Sequence, residues 1–119
     1  MHSFFRRSLI VGLAVLVSQP AFAHAVLVES TPAAGTTVDG PAVSIDLRYN
    51  SRVDAKRSQL VLTKPDGSKA VVPIATDSAV DHLRGTATLA PGAYVLRWQV
   101  LAVDGHITRG DVPFTVTGH

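Results

Sequence analysis

The residues whose spacing best suits chemistry are Asp104 and His106, separated by Gly105. In an extended stretch, residues i and i+2 project to the same side. A carboxylate oxygen and an imidazole would then aim at one point, and Gly105 permits a tight bend between them. The alternative for the same residues is an Asx-type turn in which Asp104 caps its own backbone; taken alone, that alternative is favoured. A second donor group lies at the other end of the chain. His24 directly follows Ala21-Phe22-Ala23, the small-x-small pattern after which a signal peptidase cuts. Cleavage there makes His24 the first residue, and a terminal histidine offers both its α-amine and its imidazole Nδ1 to a metal. The amine must lose a proton, and its ordinary pKa of about 7.7–8.0 lets a divalent ion compete for that site. The alternative is that the cut happens to fall before a histidine, and His24 alone does not decide between them. Read together, an amine, two imidazoles and a carboxylate form a four-donor set of N and O ligands. Such a set suits Cu(II), which heads the divalent affinity order.

Other chemistry is sparse. His82 follows Asp81 in a polar stretch and reads as a solvated loop histidine, and His119 is the last residue of a tail. His24-Ala25-Val26 lacks a histidine at the third position, so the common amino-terminal copper-and-nickel tripeptide is absent. No Gly-x-Ser-x-Gly elbow, phosphate loop or His-Glu-x-x-His is present, and Glu29 is the single glutamate. The aspartates fall in turns or at outward positions and read as solubilising surface, Asp46 among them. With no cysteine there is no disulfide framework, thiolate metal site or cysteine nucleophile. These absences favour a binding protein over an enzyme.

The elements that must position these residues begin after an export signal. Arg6 and Arg7 form a positive n-region, Leu9 to Val17 an uncharged apolar core, and Pro20 precedes the cut. That core is too short to span a bilayer, which takes about 20 residues. The arginine pair is compatible with either a Sec or a twin-arginine signal. Removing residues 1–23 leaves 96 of the 119 residues and takes Lys plus Arg from 11 to 9, against 9 acids. The basic isoelectric point is thus mostly a property of the signal. No basic stripe remains to neutralise phosphates, so nucleic-acid binding is disfavoured. Met1 leaves with the signal, and the remaining chain holds no sulfur ligand.

Residues 24–119 read as one domain. They contain 14 Val, 3 Ile and 10 Thr, a strand-former's composition. Val43, Ile45, Leu47 and Tyr49 alternate with polar residues and predict a half-buried strand. Leu60 to Lys64 and Lys69 to Ile74 flank Pro65-Asp66-Gly67-Ser68 as a hairpin. Leu83 to Leu89 is a weaker strand that stops at Ala90-Pro91-Gly92. Tyr94, Leu96, Trp98 and Val100 mark one face of a long strand with Arg97 and Gln99 on the other, and Val112, Phe114 and Val116 close the pattern. With Val26 to Glu29 this predicts about seven short strands, an all-β, immunoglobulin-like sandwich. Trp98, Tyr94, Tyr49 and Phe114 should supply much of its core.

These residues resemble the CopC family of bacterial periplasmic copper-binding proteins. The likeness starts at His24-Ala25 and runs through Ser30-Thr31-Pro32-Ala33, Gly35 and Leu47-Arg48-Tyr49. It continues in Leu89-Ala90-Pro91-Gly92 with Tyr94, Val95 and Trp98. It ends in Val103-Asp104-Gly105-His106, Gly110, Phe114 and Val116. The resemblance implies a seven-stranded Greek-key β-barrel or sandwich of cupredoxin-like appearance. It implies one Cu(II) per chain held by His24, through amine and imidazole, and by Asp104 and His106. The implied role is copper resistance or homeostasis in the periplasm, as a monomer, in some members beside a CopD-like inner-membrane protein. Some members add a Cu(I) site in a Met-rich loop, which a chain without Met after the signal lacks. Many carry an acid after a Phe-Ser pair near the metal; here Tyr49-Asn50-Ser51 puts Ser51 at that place. Two other readings compete: a small histidine-brace copper oxidase or monooxygenase, and a metal-free immunoglobulin-like interaction module.

Overall fold

The computed structural model describes residues 25–118. The expected signal segment 1–23, His24 and His119 lie outside the described residues. The strand order is β1 (Leu27–Thr31), β2 (Thr36–Asp39), β3 (Ala42–Tyr49), β4 (Gln59–Thr63), β5 (Lys69–Val72), β6 (His82–Thr88), β7 (Gly92–Leu101) and β8 (Ile107–Thr117), with one 3-10 turn at Ala55–Arg57. They form two facing sheets, ordered β1-β3-β6 and β2-β8-β7-β4-β5. The chain crosses from one sheet to the other after β1, β2, β3, β5 and β6, as in a Greek-key sandwich. The all-β sandwich is as the sequence predicts.

Eight strands stand where about seven were expected, and an isolated bridge joins Val53 to Ala102. The additional strand is β2, which runs parallel to β8 in the register Thr36↔Phe114 to Asp39↔Thr117. Only Val38 of its four residues turns toward the core, so no alternation announces it. Backbone bonds from Gly35 N–H to Pro113 O (2.7 Å) and from Gly40 N–H to Thr117 O (2.7 Å) tie both its ends to β8. Strand β8 also begins earlier than Val112. Its opening half is polar and carries Gly110, yet it pairs with β7 without interruption from Leu101↔Ile107 to Gly92↔Val116.

The alternating apolar faces all point inward. Val43, Ile45, Leu47 and Tyr49 of β3, Tyr94, Leu96, Trp98 and Val100 of β7, and Val112, Phe114 and Val116 of β8 are buried. Tyr94 stacks on Phe114 (5.8 Å between centroids, 17° between planes), and its hydroxyl donates to Ala90 O at 2.7 Å, fastening the turn that feeds β7. Tyr49 meets Trp98 edge-on at 5.4 Å across the two sheets. On the outer face, Arg97 pairs with Asp111 at 3.0 Å and Arg109 Nε donates to Gln99 Oε1 at 2.7 Å. At the far hairpin, Asp66 accepts from the Ser68 hydroxyl (2.6 Å) and N–H (2.9 Å), which hold its carboxyl below the usual range.

One short contact constrains the whole hairpin. Trp98 lies opposite Gly110, and a Cβ at position 110 would sit 2.6 Å from Cε2 of the indole. Gly110→Ala should therefore force the ring out of place. The expected cost is about 1–3 kcal/mol, typical of overpacking, read as a lower denaturant midpoint together with an altered near-ultraviolet dichroism of the lone tryptophan. An unchanged midpoint would show that the indole does not rest on this glycine.

Candidate metal centre

The ends of β3, β5 and β7 and the beginnings of β1, β4, β6 and β8 gather at one end of the sandwich, as their registers require. The loop from β7 to β8 lies there. Ala102 N–H donates to His106 O (2.9 Å), and Gly105 N–H donates to Ala102 O (2.9 Å). Gly105 takes φ +89°, a left-handed conformation that glycine adopts without steric cost. Asp104 Oδ1 accepts from His106 N–H at 3.0 Å, and Oδ2 lies 2.8 Å from His106 Nδ1. The stretch is thus not extended: the Asx-type turn is the arrangement found. The turn brings the carboxylate and the imidazole into contact with each other, where an extended stretch would aim both at a common point.

This pairing has a chemical consequence. A carboxylate at Nδ1 favours the tautomer with the proton on that nitrogen and makes Nε2 the lone-pair nitrogen, the usual preparation of a metal-binding histidine. The His106 side chain is 60% exposed and that of Asp104 only 20%, so the ring is the accessible partner. Both carboxylate oxygens lie within hydrogen-bond distance of His106 nitrogens.

The chain that immediately follows His24 is anchored beside this loop. Ala25 is buried, and its carbonyl accepts from Thr108 Oγ1 at 2.9 Å, two residues beyond His106. Val26 N–H donates to Asn50 Oδ1 at 2.8 Å, and Asn50 N–H donates back to Val26 O at 3.0 Å. Of the three expected ligands, Asp104 and His106 are brought into contact, while His24 lies outside the described residues. Among the described residues, no group of three or more His, Cys, Asp or Glu is arranged to hold a metal ion.

Asn50 and Thr108 are the site-building residues that sequence reasoning missed. Asn50 sits inside Tyr49-Asn50-Ser51, the triplet flagged for its missing acid, but a side chain that clamps a backbone amide leaves no periodic signal. Ser51 Oγ and Tyr49 Oη are buried with no hydrogen-bond partner, and burial pushes the Tyr49 phenol well above its ordinary range. His82 is a correction. It is half-buried at the start of β6 rather than solvated in a loop, with Nδ1 2.7 Å from Asp46 Oδ1 and Nε2 3.6 Å from Asp81 Oδ1. Arg84 Nε lies 3.5 Å from the other oxygen of Asp46, so Asp46 ties two side chains of the neighbouring strand to β3. The two carboxylates address opposite ring nitrogens and do not converge on one point.

The Asn50 clamp is testable directly. Asn50→Ala removes the acceptor for Val26 N–H and should cost about 1 kcal/mol, the worth of one such bond. Hydrogen exchange at the Val26 amide should accelerate, and Asn50→Asp, which keeps an acceptor, should restore protection. Equal protection in Asn50→Ala would show that the strand, not the side chain, holds the segment.

Residues 27–117 match the family model described as the CopC domain. Protein YobA of Escherichia coli strain K12 is 32% identical over 118 residues, spanning 92% of this chain and 95% of that protein. Copper resistance protein C of Xanthomonas campestris pv. juglandis is 29% identical and spans 92% of each. Among solved structures, CopC from Methylosinus trichosporium OB3b superposes with a TM-score of 0.71 at 29% identity, covering 81% of this chain and 96% of that one. PcoC, a methionine-rich copper resistance protein from Escherichia coli, gives 0.65 at 26% identity, covering 80% and 100%. Methionine content separates the last from the present chain, whose single Met is Met1.

Proposed function

The chain belongs to the CopC family, and on that premise we propose that it is a periplasmic protein that binds one Cu(II) per chain through His24, Asp104 and His106. It serves copper resistance or homeostasis by buffering or delivering the ion, with copper as cargo rather than as the cofactor of a reaction. The observation that carries this reading is the placement of the segment after His24. Thr108 and Asn50 hold Ala25 and Val26 beside the loop in which Asp104 is hydrogen-bonded to His106.

The donor chemistry supports the oxidation state. With no Cys and no Met beyond position 1, only nitrogen and oxygen ligands are available, which suit Cu(II) better than Cu(I). Copper resistance protein C of Xanthomonas campestris pv. juglandis and that of Pseudomonas syringae pv. tomato are similar along most of their length, which supports a copper-related role. A CopD-like inner-membrane protein is the partner that the family implies. The chain is a monomer in this reading.

The test is an intact mass of the exported protein matching residues 24–119, followed by competition titration with chelators for each oxidation state. One tight Cu(II) site and weak Cu(I) binding are expected. A second tight site, or a cut at any other bond, would contradict the reading. Binding to the native state alone should add about 2.7 kcal/mol of stability when free metal is 100 times the dissociation constant. His106→Ala should remove most of that increment and leave the copper-free midpoint nearly unchanged.

The amine is the second variable. One extra alanine before His24 turns that nitrogen into an amide, and affinity should fall at least ten-fold, about 1.4 kcal/mol. Protons compete with the metal at the amine and at the imidazoles, so apparent affinity should fall as pH drops. Equal affinity with and without the extra alanine would show that the side chains suffice.

A further inference from the structure

The end of the sandwich that carries the 102–106 loop also holds an apolar crevice of about 850 Å³ between the β3–β4 and β5–β6 connections. Its floor is formed by the core residues Val53, Leu60, Val72 and Ala102. Its lips are Val71, Val80 and Val103, which are 62%, 58% and 67% exposed. These are half of the large apolar side chains left exposed among the described residues. A single exposed valine is ordinary, but several around one concavity with a charged margin are the mark of a binding surface.

The charged margin lies on one side. The segment around the 3-10 turn contributes Arg52, Lys56 and Arg57, and Asp54 is the one acid among the lining residues. Asp54 is already used within that segment: its Oδ1 accepts from Lys56 N–H at 3.0 Å, and its Oδ2 lies 3.8 Å from Arg57 Nε. The lining therefore carries an excess of two positive charges beside an apolar floor. It has no imidazole, and its single carboxylate is engaged, so a metal is not its ligand. Three cations over a hydrophobic floor are equally ill suited to a nucleic-acid backbone.

We propose that this crevice docks an extended segment of a partner protein, with apolar side chains entering the floor and carboxylates facing Arg52, Lys56 and Arg57. Val103 and Gly105 of the 102–106 loop line the crevice, so the docked segment lies against the loop that holds Asp104 and His106. The docking stands on shape and charge alone. Only its meaning, an acidic partner brought to the place where copper is held, rests on the Cu(II) reading.

The experiment titrates the isotope-labelled, processed chain, free of copper, with a short synthetic peptide alternating leucine and aspartate, and with its lysine-for-aspartate counterpart. The acidic peptide should shift the amides of Val53, Val71, Val80 and Val103 and weaken with added salt, and the basic one should not. The double variant Lys56→Glu with Arg57→Glu, whose side chains lie at the surface, should bind the acidic peptide at least ten-fold more weakly, about 1.4 kcal/mol, while keeping its thermal midpoint and Cu(II) affinity. Val103→Asp should weaken the same peptide without touching the basic wall. Unmoved crevice amides, equal binding of both peptides, or shifts that depend on protein concentration without peptide would each overturn the proposal; the last would make the crevice a self-association face. Peptide binding by a chain that fails to take up Cu(II) would overturn the metal reading and leave the docking surface standing.

Discussion

Trp98 is held between two things: the bare backbone of Gly110 beneath it and the edge of the Tyr49 ring across the sandwich. That contact joins the β7–β8 hairpin of one sheet to β3 of the other, and the proposed centre inherits its geometry from both. The hairpin ends in the loop that pairs Asp104 with His106. Strand β3 ends at Tyr49, and Asn50, the next residue, grips Val26. Fixing the distance between those two strand ends fixes the distance between the loop and the start of the domain. The aromatic contact is apolar and remote from any ligand chemistry, yet it sets the frame in which that chemistry is arranged.

Much of this frame was legible because burial writes a simple period. Val43 to Tyr49 alternates without a break and Tyr94 to Val100 is interrupted only by Val95, and the structure buries Val43, Ile45, Leu47 and Tyr49 of the first and Tyr94, Leu96, Trp98 and Val100 of the second. The Asp104-Gly105-His106 triplet was legible for a different reason: it is local, and the Asx-type turn its residue types allow is the one found. Strand β2 was not legible, because a four-residue edge strand with a single inward side chain has no period to detect. The first half of β8 was hidden in the same way. Its polar residues are strand only because β7 offers them a continuous ladder.

The harder misses are long-range polar contacts. His82 and Asp46 are 36 positions apart, and Asn50 and Val26 are 24 apart. Nothing in the types of such residues distinguishes a partner from a solvated side chain until the register of β1, β3 and β6 is known. That register slides the ends of three strands into alignment, and only then do a loop histidine and a surface aspartate become a pair. A triplet noticed for its missing acid, Tyr49-Asn50-Ser51, holds a backbone clamp one residue earlier instead.

The bond from Thr108 to Ala25 spans 83 positions, nearly the whole described chain. The loop that such a contact closes is about as large as this domain allows, so it forms at high entropic cost unless intervening strands have already brought its ends together. The beginning of the domain is therefore seated by its last strand. A chain truncated before β8 keeps Asn50 and its grip on Val26 but has neither Thr108 nor the strand that closes residues 102–106 into a hairpin loop. The first residues of the domain thus report whether the last have arrived, making this end of the sandwich a check on the completeness of the whole fold.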